Sequence, residues 1–345
     1  MLLKYLSYSK LLWLSGFSLL IIAVSSIATG PMNITLSDSF HSLMPWSTAE
    51  IPAHINLIIH QVRLPRTILC MLVGAILAIS GVVMQGLFRN PLAEPGIIGV
   101  SAGAALGAAM AIVLFSSVAQ QFPIFMNFAA VPIFAFLGGA ITTLIVYRLG
   151  TSKFGTSITV MLLAGVAISA LSGAGIGYLN FIADDQMLRD LSLWSMGSLA
   201  GAKWNDLLLA SIGLITLLVL FMKNASGLNA LLLGEAEAKH LGINVQSLKK
   251  RMIILSAVGV GITVSLSGMI GFIGLIIPHL GRMLSGPNHK TLLPLSALLG
   301  GLLLTAADMF ARVAVSPAEL PVGIVTAIIG APFFLYLLFT QRGKI

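Results

Sequence analysis

The sequence predicts an all-α integral membrane protein with about ten transmembrane helices and both termini in the cytoplasm. Three observations carry this expectation. Of 345 residues, 57% are hydrophobic and only 9% are charged, whereas soluble domains carry about 25% charged residues. The apolar residues fall into windows long enough to cross a bilayer as helices, about 20 residues each. The basic residues sit in the short segments between windows and favour one side, as the positive-inside bias requires.

The windows justify each span in order. Residues 11–37 carry no charge. That run is longer than the roughly 7–15-residue apolar core of a cleaved signal. It therefore reads as a retained first span, despite Lys4, Lys10 and the small-residue stretch Ser26-Ile27-Ala28. Residues 67–88 give the second span. The window 95–147 is too long for one helix and breaks near Gln120-Gln121-Phe122-Pro123, giving the third and fourth. Residues 154–183 and 207–222 give the fifth and sixth. The window 252–281, interrupted by Gly268, Gly271, Gly274 and Pro278, reads as one full and one short helix. Windows 291–307 and 320–341 complete the ten. Both termini are basic (Lys4, Lys10; Arg342, Lys344), which places both inside and requires an even number of spans. The inner side then also carries Arg89, Arg148, Lys153, Lys223, Lys239, Lys249, Lys250, Arg251, Arg282 and Lys290, against Arg63, Arg66, Arg189, Lys203 and Arg312 outside. No outer segment is long enough to be a domain, so residues 1–345 read as a single transmembrane domain.

Composition narrows the function classes. The net charge of +8 is accounted for by orientation signals and does not point to nucleic acid. The single cysteine, Cys70, excludes an intrachain disulfide. No Gly-x-x-x-x-Gly-Lys-Ser/Thr loop is present, so the chain does not bind ATP by that device. His41, His54 and His60 share the first outer segment but lack the acidic or cysteine companions of a metal centre. Membrane-embedded carboxylates are almost missing; Asp308, at the end of the window 291–307, is the exception. It stands four residues before Arg312, the favourable order for a helical ion pair. A proton-driven carrier calls for more buried acids or histidines along its path, although an ATP-independent channel or carrier stays open as a class. Gly99-Val-Ser-Ala-Gly103 matches the nucleophile elbow of serine hydrolases, but that elbow needs a strand-to-helix turn and a His/acid pair. Here the match lies in a Gly99/Gly103/Gly107 stripe, and Gly173/Gly177 form another; such stripes pack membrane helices. The fifteen methionines read as gap fillers in apolar cores, with none assigned as a ligand.

The most informative stretch is Leu231–Arg251, which gathers six charges in a chain nearly free of them. A polar island between apolar spans is where a membrane protein meets something soluble. The span count places it on the cytoplasmic side. The absent phosphate loop means that any energy from ATP comes through another chain.

Several segments together resemble the permease family of ABC importers for vitamin B12, ferric siderophores and haem. They are Arg63-Leu-Pro-Arg66, the run Leu72–Gln85, Asn90-Pro-Leu-Ala-Glu-Pro-Gly96, Gly99–Gly103, Trp194-Ser-Met-Gly-Ser198, Gly234-Glu-Ala-Glu-Ala-Lys-His-Leu-Gly242, Gly271–Arg282 and Pro317-Ala-Glu-Leu-Pro-Val-Gly323. The match runs from about residue 60 to the end. The resemblance implies a ten-span subunit in a bacterial inner membrane, acting as a homodimer with two cytosolic ATPase subunits and a periplasmic binding protein. ATP and Mg would bind the ATPase; no cofactor or metal is implied in this chain. Within the loop at about 227–245, Gly234, Glu235, Ala236, Leu241 and Gly242 match the coupling motif that sits in a cleft of the ATPase. Leu231–Leu233 would anchor it, with Lys249-Lys250-Arg251 left as an orientation signal. Arg63, Arg66 and Arg312 correspond to arginines that pair with glutamates of the binding protein. The segment Ala183–Trp194 is most similar to the haem branch, and Arg189 becomes a candidate contact for a propionate or the binding protein. Alternating access of haem, or else of a siderophore or cobalamin, is the implied activity.

Overall fold

The structure, a computed structural model, describes residues 7–44, 51–115, 130–153 and 155–341. Lys4, the break at Gln120–Pro123, Arg342 and Lys344 lie outside the described residues. The helices are α1 (Tyr8–Ala28), α2 (Leu36–Leu43), α3 (Ala53–Ile58), α4 (Leu64–Phe88), α5 (Val100–Leu114), α6 (Val131–Gly150), α7 (Ile158–Ile182), α8 (Asp185–Ser195), α9 (Trp204–Leu233), α10 (Glu235–His240), α11 (Val245–Ser267), α12 (Ile273–Ser285), α13 (His289–Val313) and α14 (Val322–Gln341). A two-stranded antiparallel hairpin, β1 (Thr151–Ser152) and β2 (Gly155–Thr156), joins α6 to α7, with Thr151 opposite Thr156.

Among the described residues, eight helical segments are long and apolar enough to cross a membrane, and α5 and α12 are shorter apolar helices. Together they make the ten expected. α12 has 13 residues, about 20 Å of helix, against a hydrocarbon core of about 30 Å. The expected split within 252–281 falls at Gly268 (φ +67°) and Phe272 (φ +69°), while Gly274 and Pro278 lie inside α12.

α4 is the axis of the fold. It packs against α9, α11, α12 and α13 and is buried on nearly every face. Backbones can approach this closely because of paired glycines. A Cβ on Gly74 would stand 2.2 Å from the Gly300 carbonyl, and one on Gly300 would stand 2.3 Å from the Gly74 carbonyl. The Gly99–Gly107 stripe does pack, since a Cβ at Gly107 would meet the Phe134 carbonyl of α6 at 2.0 Å. The Gly173/Gly177 stripe behaves differently: added Cβ atoms there meet nothing within 4 Å. That face of α7 is open.

Side-chain caps fix several helix starts, as Ser, Asp and Asn do at N-termini. Ser157 caps α7, Asp184 caps α8 and Asn244 caps α11. α9 outruns its charge-free window by eleven residues at one end, because Lys223 marks where apolar surroundings end and not where the helix ends. The loop after α4 returns beside α12, where the Glu94 carboxylate accepts from the Phe272 N–H at 3.0 Å.

Candidate functional site

The coupling stretch is built from the end of α9, the short helix α10 and the start of α11. Gly234 breaks the chain between α9 and α10 with φ +137°, a conformation open to glycine and costly for other residues. A Cβ there would meet the Glu237 carboxylate at 1.9 Å. α10 then runs six residues, and Gly242 (φ +81°) turns the chain back toward α11. The buried Ala238, Leu231 and Leu248 hold this turn against the bundle.

The outward surface of the turn mixes apolar side chains with the exposed Glu237, Lys239 and His240. Leu233 and Leu241 are 66% and 62% exposed, and Ala236 beside them is also exposed. The structure thus brings together the five expected residues, with Glu235 half-buried and Gly234 buried. It corrects the anchor: Leu231 alone is buried, whereas Leu232 and Leu233 face outward.

It also separates Lys249 from its neighbours. Lys250 and Arg251 are exposed, consistent with a topological signal. Lys249 is only 2% exposed. Its Nζ stands 2.5 Å from Glu235 Oε1 and donates to the Thr156 carbonyl at 3.2 Å. Position alone does not show this, because Thr156 lies 93 residues away and Glu235 meets Lys249 only through the turn at Gly242.

Asn229 makes a second tie near the same end. Its Oδ1 accepts from the His289 N–H at 2.8 Å, and its Nδ2 donates to Asn288 Oδ1 at 2.7 Å, joining α9 to the start of α13. Nearby, a cavity of about 340 Å³ is lined by Gln85, Arg89, Leu232, Arg282 and His289. Arg282 donates to Gln85 Oε1 there.

The opposite end of the bundle holds the three other expected arginines. Arg63, Arg66 and Arg312 are 4%, 4% and 2% exposed. Arg66 takes Asp308 at 2.8 Å and Glu319 at 2.6 Å. Arg312 donates through Nε to Asp308 at 2.8 Å and through Nη1 to the Ser26 carbonyl at 2.9 Å. Arg63 donates to the carbonyls of Ile27 at 2.9 Å and Ala28 at 2.6 Å, and also to that of Met32. The carbonyls of Ser26, Ile27 and Ala28 belong to the last turn of α1, where helix geometry leaves acceptors without intrahelical donors; Met32 follows beyond its end. Arg63 and Arg312 cap α1 and bind it to the start of α4 and to α13, while Arg66 ties α4 to Asp308 and Glu319. In this structure the three guanidinium groups are almost fully covered and donate within the chain. The expected Asp308–Arg312 pair is present, enlarged by Arg66.

Arg189 is exposed on α8, a helix whose Met187 and Leu191 pack on Val113 and Leu179. A cavity of about 470 Å³ opens beside α8, lined by Ile112, Pro132, Asp190, Trp194 and Ser267 among others. Ser101 lies in the first turn of α5, not on a strand-to-helix turn, so the elbow motif lacks its context. His60, from the first histidine group, contacts the Ser42 carbonyl at 3.0 Å.

Among the described residues, ten apolar helices pack into a bundle with the Gly234–Gly242 turn facing outward, the architecture of a multi-pass membrane protein. The sequence profile of the FecCD transport family matches residues 18–340. The hemin transport system permease protein HmuU of Yersinia pestis is 45% identical over 95% of both chains. The vitamin B12 import system permease protein BtuC of Klebsiella pneumoniae is 38% identical over 96% of this chain and 95% of its own. A solved structure, described as an inward-facing conformation of a metal-chelate type ABC transporter, superposes with a TM-score of 0.82. It is 36% identical and covers 96% of this chain and 99% of that one. The chain belongs to the FecCD transport family.

Proposed function

We propose that this chain is the transmembrane permease subunit of an ATP-driven ABC importer that carries an iron chelate, haem being the best-supported cargo, into the cytoplasm of a bacterium across its inner membrane. The observation that carries the reading is the Gly234–Gly242 turn. It holds an exposed apolar patch (Leu233, Ala236, Leu241) on a rigid base, where a soluble partner can dock. Apolar surface flanked by charge in this way marks a protein contact.

In this reading two copies form the path, and each meets one cytosolic ATPase subunit that binds ATP and Mg. A periplasmic protein delivers the cargo. ATP-driven closure of the ATPases shifts α10, and the helices tilt to open the path to one side at a time. The unoccupied Gly173/Gly177 face of α7 is a natural contact for the second copy or the path. Haem is favoured by the Yersinia relative and by the similarity of Ala183–Trp194 to the haem branch; cobalamin and ferric siderophores are the second reading, supported by the B12 permeases. Both termini lie in the cytoplasm, on the side of the coupling turn.

The test is uptake into proteoliposomes containing this chain and its ATPase, with haem, cobalamin and a ferric hydroxamate offered separately. ATP-dependent haem uptake that Glu235→Arg reduces at least tenfold is expected. Uptake indifferent to nucleotide and to that substitution would sink the ABC reading; selective cobalamin or siderophore uptake would replace haem.

A further inference from the structure

Lys249 is the buried charge for which the permease reading has no use. An ammonium taken out of water costs several kcal/mol unless it is paired and hydrogen-bonded. Lys249 gains its partners from two separate parts of the chain: Glu235 Oε1 at 2.5 Å on α10, and the Thr156 carbonyl at 3.2 Å on β2. Near the start of the same helix α11, Gln246 Oε1 accepts from the Thr156 N–H at 3.0 Å. The close fit is aided by Gly155 (φ +115°), where a Cβ would stand 2.5 Å from Gln246 Nε2. α11 therefore holds both backbone polar groups of Thr156, and through Lys249 it also holds the first acidic residue of the coupling helix.

The hairpin is the foot of α7, which begins two residues later at Ile158. α7 is the helix with the open small-residue face. A continuous polar link thus runs from α10 through Lys249 to β2 and into α7. Lys250 and Arg251, next along the chain, are exposed and join no ion pair among the described residues.

We infer that Lys249 is a positioning residue for energy coupling, tying the ATPase-facing helix α10 to the hairpin beneath α7 so that displacement of Glu235 is transmitted to Thr156. This rests on the permease reading above. The Glu235 side chain is 42% exposed, so once Lys249 is replaced by Met the carboxylate regains water and no charge is left buried; a purely structural pair would tolerate that change with its nucleotide response intact, whereas a transmitting link would not.

The experiment uses the chain assembled with its ATPase in lipid and reads the hairpin directly. The one native cysteine, Cys70, is buried, so Lys153→Cys places a single reactive thiol on the exposed hairpin turn. Its maleimide labelling rate is compared without nucleotide and with ATP plus vanadate. With Lys249 intact, the rate is expected to change severalfold. In Lys249→Met the change is expected to vanish while the ATPase still copurifies, and in Lys249→Arg it is expected to return. Gln246→Leu, which releases only the Thr156 N–H and disturbs no buried charge, should halve the response or more. The inference is overturned if Lys249→Met responds like the parent, if it loses the response only together with the ATPase, or if Gln246→Leu responds in full. A parent complex that shows ATP-dependent uptake but no labelling change overturns the link alone. A parent chain that binds no ATPase and shows no nucleotide response overturns the permease reading and the link with it.

Discussion

Asp308 has no exposed surface and accepts from two guanidinium groups, those of Arg66 and Arg312. Removing one member of a buried ionic group leaves the others uncompensated, at about 3–5 kcal/mol. Asp308→Asn is therefore expected to lower the thermal unfolding midpoint of the purified protein far more than Glu319→Gln, since the Glu319 side chain is 30% exposed; equal effects would contradict the network. Single residues were the least legible scale in the sequence. The i to i+4 pair of Asp308 and Arg312 could be read directly. Arg66 lies 242 positions from Asp308, and Lys249 lies 93 from Thr156; no local pattern encodes such partners. Positive charge on the disfavoured side marked a buried network whose partners only the folded chain shows.

Helices were legible as windows because charge is excluded from a bilayer core. Their ends were not, because a helix continues wherever its backbone is satisfied: 207–222 became Trp204–Leu233 and the start of α11 moved out to Val245. The glycine stripes show the same limit. Composition is alike at Gly107 and Gly173, yet one abuts a carbonyl and the other faces open space. Gly107→Leu is expected to destabilise the chain by about 1–3 kcal/mol or more through overpacking. Gly173→Leu should leave unfolding of the isolated chain within about 0.5 kcal/mol, and weaken self-association in native mass spectrometry if α7 meets a second copy. The exposed patch of the coupling turn makes a parallel prediction: Leu241→Asp should lower copurification of the ATPase severalfold without shifting the unfolding midpoint.

At the scale of the whole molecule, the asymmetry of charge across the bundle predicts its orientation. A thiol from Lys250→Cys should react with a membrane-impermeant reagent only from the cytoplasmic side, and one from Arg189→Cys only from the other; the reverse pattern, or both from one side, would overturn the ten-span topology. α9 adds a geometric consequence. Residues 204–233 form one unbroken helix, so the compass direction in which the coupling turn faces is set by angular phase from the membrane-embedded part, about 100° per residue. One alanine inserted between Lys223 and Gly227 would rotate everything beyond it by about 100°, turning Leu233 and the following turn toward a different azimuth of the bundle. Insertion of a near-complete turn, four residues, would bring the azimuth back to within about 40° while lifting the turn by about 6 Å. The helix thus acts as an indexed shaft, on which the bearing of the contact and its height above the lipid are fixed by one count of residues.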